Sequence, residues 1–142
     1  MVENVIILTE DIMGDRSQVC IKKGNDRVFL YGHWIGSEIY KAVGEALRRV
    51  PDRWEDSEYL ARAVFCEMLK TSGKEALTGE TGFGIGVHEH EDIEHLIPYL
   101  DCDKRIVSFG QPAWKHNKSS DPGNMSFLAF SNRAIAGEFD NL

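Results

Sequence analysis

From Ser17 to Lys23 polar and apolar side chains alternate, with Val19 and Ile21 on one face and Gln18, Cys20 and Lys22 on the other. That period of two is the mark of a half-buried strand. Lys23-Gly24-Asn25-Asp26 is dense in turn formers, and the alternation resumes from Arg27 to Trp34. Val28, Leu30 and Trp34 then share one face, and Phe29, Tyr31 and His33 the other. The two runs predict an antiparallel hairpin.

After Gly36 the period changes. Ile39, Val43, Leu47 and Val50 recur at helical spacing, with Ser37 as the expected N-cap and Pro51 as the stop. A second helix is predicted from Asp56-Ser57, its stripe made of Leu60, Ala61, Val64, Phe65 and Met68 and its end marked by Gly73. The short link from Pro51 to Glu55 predicts an αα-hairpin.

Phe83, Ile85 and Val87 alternate with Gly82, Gly84 and Gly86, so one face of that strand has no side chains. Close helix packing and a flat ligand on bare backbone both account for it. Leu96 to Leu100 and Arg105 to Phe109 flank Asp101-Cys102-Asp103-Lys104 as a further hairpin. Beyond it come a loop, a short helix capped by Ser126 and a loose tail from Gly137. Val5 to Leu8 is a candidate extra strand at a sheet edge or an oligomer contact. The expected fold is α+β: a mainly antiparallel sheet of two hairpins packed by an αα-hairpin, in the order β-β-α-α-β-β, plus the C-terminal helix. Residues 1–12 read as an extension, 13–110 as the core, and 111–142 as loop, helix and tail.

Composition narrows the function classes. The 142 residues are 42% hydrophobic and carry a net charge of −7, which makes duplex nucleic acid a poor partner. The longest aliphatic run, Val5 to Leu8, falls short of a membrane span, and no secretory signal is expected at the N-terminus. Three scattered cysteines, Cys20, Cys66 and Cys102, argue for a reducing cytoplasm and for small buried side chains rather than a disulfide framework.

Tyr31-Gly32-His33-Trp34-Ile35-Gly36-Ser37 runs from a strand end into a helix start, where free N–H groups and the helix dipole favour an anion. The plain alternative is an N-cap serine beside a core tryptophan. Arg16 precedes the first strand, and Arg53-Trp54 lies between the helices. Guanidinium groups beside aromatic rings suit a phosphate joined to a base; solvated charge and a core Trp54 are the plain reading. Arg62, off the apolar stripe, either reaches the linker or meets solvent. His88 and His90 would share a strand face, but the acidic residues around them fit a solvated loop better than a metal site, so no metal and no cofactor is expected. The Gly-x-Gly-x-Gly run precedes no helix and is no dinucleotide fingerprint. Trp114-Lys115-His116-Asn117-Lys118 reads as a loop.

Four blocks together resemble a family of small proteins of tailed phages and prophage-bearing bacterial genomes: Met13-Gly14-Asp15-Arg16; Tyr31 to Ser37; Arg53-Trp54 with Tyr59-Leu60-Ala61-Arg62; and Glu80-Thr81-Gly82-Phe83-Gly84-Ile85. The resemblance covers roughly residues 13 to 109 and implies a phage protein acting in the bacterial cytoplasm. It carries no established activity; by analogy it implies a counter-defence factor. Combined with the residues above, the expectation is non-catalytic binding of a phosphate-bearing nucleotide, as a sponge for an immune signal would do, in a homo-oligomer. Arg16, Arg53 and Arg62 would meet phosphate with Ser37; Trp34, Trp54 or Phe83 would stack on the base; Glu80 and Thr81 would bond sugar or base edges. One rival is a small hydrolase with His33 as acid or base and Glu80 assisting. Another is an inhibitor whose acidic face occupies a basic site on a host enzyme.

Overall fold

The computed structural model describes residues 14–73, 82–112 and 120–142. The leading alternation forms β1 (Ser17–Lys23) and β2 (Asp26–Gly32), paired antiparallel from Ser17 opposite Gly32 to Lys23 opposite Asp26. Gly24 turns the hairpin at φ +57°, where a Cβ would be strained. Two helices follow, α1 (Glu38–Arg49) and α2 (Ser57–Lys70), joined through a single 3₁₀ turn at Pro51–Arg53. Asp56 caps α2 by accepting from the Tyr59 amide at 3.1 Å. Between the two helices Glu67, 8% exposed, faces Arg49 at 2.5 Å and Lys70 at 2.9 Å.

The rest of the sheet is β3 (Phe83–Gly86), β4 (Ile97–Asp101), β5 (Ile106–Gly110) and the two-residue β6 (Met125–Ser126), before α3 (Phe127–Ile135). Strand order is β3-β2-β1-β4-β5-β6. The fold is therefore α+β, as expected, but its sheet is mixed. Among the described residues it has six strands, and β1 lies parallel to β4. The expected two-hairpin, β-β-α-α-β-β sheet needs this correction because β3 docks outside β2 while β4 docks beside β1. The connection between them must cross the sheet, and residues 88–90 do so over the face away from the helices. Gln18, 1% exposed, holds them there. Its Nε2 donates to the His88 carbonyl (3.1 Å) and its Oε1 accepts from the His90 amide (3.0 Å), as a neighbouring strand would.

Val19, Ile21, Leu30, Leu100 and Val107 meet Ile39, Val43, Leu47, Leu60, Val64 and Met68 in the core. The C-terminal segment belongs to the same core rather than trailing from it. Phe139 is 2% exposed and stacks on Phe130 at 5.2 Å, and the Leu142 carbonyl accepts from Leu96. The loose tail read from the sequence is thus corrected. Short polar neighbours masked one large apolar anchor. The candidate strand Val5 to Leu8 and the stretch Trp114 to Lys118 lie outside the described residues.

Burial also sets an alkaline limit. The thiols of Cys20 and Cys102 are pushed up to about 11 by desolvation, and desolvation raises the phenols of Tyr40 and Tyr99, the latter with help from a hydrogen bond to Glu89. These folded-state values lie above the unfolded ones, so their stabilisation is complete below the unfolded pKa and is lost as pH rises through the folded one. Melting temperature is expected to fall progressively above about pH 9, where unfolded thiols begin to ionise. A flat thermal-melt profile from neutral pH to about pH 11 would contradict the burial of these groups.

Candidate functional site

Three stretches far apart in sequence are laced together at the Ser17/Gly32 end of the first ladder. The Asp15 amide donates to the His33 carbonyl (2.9 Å), the Gly36 amide to the Asp15 carbonyl (2.8 Å), and the His33 amide to the Gly82 carbonyl (3.1 Å). The Ser17 hydroxyl adds a bond to the Gly36 carbonyl at 2.9 Å. Residues leading into β1, the turn after β2 and the entry to β3 thus form one rim.

β2 ends at Gly32, so Trp34 does not continue the strand face as its period predicts. Its indole turns outward and is 53% exposed. His33 lies edge-on to it, with centroids 4.5 Å apart and planes at 73°. The Tyr31 hydroxyl stands 3.0 Å from His33 Nδ1. Burial, with Asp92 adding to it, raises the Tyr31 phenol. On the other side of Tyr31, His90 stacks at 4.1 Å with planes 18° apart.

The glycine strand borders this rim. A Cβ on Gly82 would come within 2.9 Å of His33 Cβ and 3.7 Å of the Trp34 indole, whereas one on Gly84 or Gly86 would meet nothing within 4 Å. Close packing therefore accounts for Gly82 alone. Gly84 and Gly86 leave bare backbone in the open. Phe83, on the opposite face, turns toward α2 and meets Phe65 edge-on at 6.3 Å.

The start of α1 already has an anion beside it. Gly36 adopts φ +56°, and a Cβ there would stand 2.0 Å from Asp15 Oδ2. The carboxylate of Asp15 packs against this helix end and pairs with His95 Nε2 at 2.5 Å. Ser37 occupies the cap position, but its side chain makes no capping bond.

The arginines do not converge. Arg16 is 12% exposed; its Nε donates to the Asp92 carbonyl at 3.0 Å, and its guanidinium faces the Glu94 and Asp92 carboxylates, each at 3.5 Å. Arg53 and Arg62 lie over the Tyr59 ring at 4.6 and 5.8 Å, and Arg53 and Lys23 line one open hollow. Arg16 precedes β1 and Lys23 ends it, about 20 Å along a seven-residue strand. Trp54 is part of the core: its Nε1 donates to the Leu47 carbonyl at 3.0 Å and its ring meets Phe127 edge-on. The single site expected from sequence therefore divides, with His33, Trp34 and Ser37 at the rim, Arg53 in the hollow with Lys23, and Arg62 beside the groove lined by Val28, Leu30 and Ile85. Glu80 and Thr81 lie outside the described residues.

Sequence reasoning gave no site role to Tyr31, Asp15, Tyr59 or His95, and weighed His90 only with His88 as a metal pair. Tyr31 and His33 were placed on one strand face, and the spacing of Tyr59 and Arg62 on one helix face was a further signal. The stacking of His90 on Tyr31 and the pairing of His95 with Asp15 arise only through the crossing connection. Cys66, expected to be buried, is exposed. Among the described residues no group of three His, Cys, Asp or Glu side chains is placed to hold a metal ion, and no helix is long and apolar enough to cross a membrane. The chain matches no family model, no curated protein and no solved structure with which it was compared.

Proposed function

We propose that this protein binds, without converting, a phosphate-bearing nucleotide-type small molecule whose flat base lies on the Trp34–His33 pair. One observation carries the reading: a half-exposed indole, buttressed by an imidazole, stands beside Gly82 at the entry to the glycine strand. A planar ring gains stacking and dispersion there at little cost in side-chain ordering. The Ser37 hydroxyl, which makes no capping bond, and His33 Nε2 offer polar contacts to the remainder of the ligand. Among the described residues Asp15 is engaged by His95, and Asp92 with Glu94 by Arg16. Arg53, in the hollow with Lys23 at the other end of β1, lies too far away to share the same phosphate. Stacking, rather than charge, then supplies most of the affinity. In the phage setting the resemblance implies, such a binder would act as a sponge for a nucleotide immune signal.

The Tyr31–His33 contact favours a second reading, hydrolysis, because a ring whose Nδ1–H donates to the Tyr31 oxygen has its Nε2 lone pair available to take a proton. One experiment separates the two. The protein is incubated with a panel of mononucleotides and cyclic dinucleotides, desalted, heated, and the released material analysed by mass spectrometry. Intact nucleotide carried through desalting is the expected result. The small-molecule fraction removed by desalting is analysed alongside: a new product in either fraction establishes hydrolysis, and nothing retained with every nucleotide unchanged removes both readings.

A further inference from the structure

We infer that the outer edge of β3 is a docking surface for a second copy of this chain, which pairs with it strand to strand and antiparallel. Among the described residues β3 is a terminal strand of the sheet, so one side of its backbone has no ladder partner. Natural edges are usually guarded by lysine, proline, a bulge or brevity. The opposite edge, β6, is guarded by brevity, being two residues long and running straight into α3. β3, at four residues, is longer, and Gly82-Phe83-Gly84-Ile85-Gly86-Val87 contains neither charge nor proline. Ile85 and Val87 are 65% and 66% exposed.

The charge distribution selects the partner. Each chain carries −7, so two copies repel over most of their surfaces. The uncharged 82–87 window is where backbone can meet backbone without that repulsion. A basic peptide would be drawn instead to the acidic stretch beyond it, Glu89, Glu91, Asp92 and Glu94. Beside the edge, Val28, Leu30, Ala61, Phe65, Cys66 and Ile85 line an apolar groove of about 280 Å³, with Glu58 and Arg62 on its rim. Those two residues are one helical turn apart and opposite in sign. A two-fold axis reverses their order, so each copy offers an acid where the other offers a base. Arg62 makes no ion pair among the described residues and is available for it. Because Gly82 also touches the His33–Trp34 rim, the same seam would set one rim at each end of the joined strands.

Sedimentation velocity without nucleotide tests this independently of the ligand reading. The wild-type chain is expected to reach twice the monomer mass by about 100 μM, and Ile85→Lys to weaken association by about tenfold or more. Leu128→Lys, at an equally exposed apolar position on α3, should associate as the wild type does. Hydrogen exchange of the wild-type protein, read at dilute and concentrated conditions, should show concentration-dependent protection confined to amides 83–86, which keeps the test valid even if a variant misfolds. A chain that stays monomeric, a dimer indifferent to Ile85→Lys, or protection elsewhere would overturn the inference.

Discussion

Arg16→Ala is expected to cost about 2–3 kcal/mol of stability, because the guanidinium holds the crossing connection in place. Its side chain is 12% exposed and faces two carboxylates while donating to the Asp92 carbonyl. Removing one partner of a fully buried ion pair costs roughly 3–5 kcal/mol. The carboxylates here are 50% and 22% exposed, so water screens part of that loss. Calorimetric melting should show a drop of about 6–10 °C for a chain of this length. Arg16→Lys should recover only part of it, since a point charge cannot reproduce the forked contact. A variant that melts like the wild type yet loses nucleotide would reinstate Arg16 as a ligand contact and refute its structural role.

Trp34→Ala should behave in the opposite way. Its indole is 53% exposed and makes no hydrogen bond to the core, so stability is expected to change by less than about 0.5 kcal/mol. Affinity for whichever nucleotide the protein retains should fall by about 1–3 kcal/mol, roughly 5–150-fold, the worth of one base stacked on one ring. Titration calorimetry reads this directly. Trp54→Ala is the internal contrast, because that indole packs on Phe127 and donates to the Leu47 carbonyl. Its loss should appear in melting rather than in binding. Unaltered affinity in a folded Trp34→Ala protein would move the site away from the rim.

The β1–β2 hairpin, the two helices with their short link, and the β4–β5 hairpin were legible because each repeats with its own local period. The Ser126 cap was legible too, since the capping oxygen and its amide lie within three residues of each other, whereas Ser37, expected to cap α1, makes no capping bond. The candidate site was legible only in pieces. His33, Trp34 and Ser37 stood out as types at a strand-to-helix turn, but Trp34 followed the strand period on paper and left it in space once Gly32 ended the strand. The fate of each arginine depended on residues tens of positions away: Arg16 on Asp92 and Glu94, Arg53 and Arg62 on a shared tyrosine.

The chain by itself determined where strands and helices form, which faces are apolar, and that the molecule is acidic, for all of these depend on neighbours within a few residues. Only the tertiary structure decided that β4 runs parallel to β1, that the C-terminal aromatics complete the core, which charges are neutralised and which aromatic ring is left to solvent. Those outcomes depend on pairings between distant segments, whose hydrogen bonds and ion pairs leave no periodic trace in sequence.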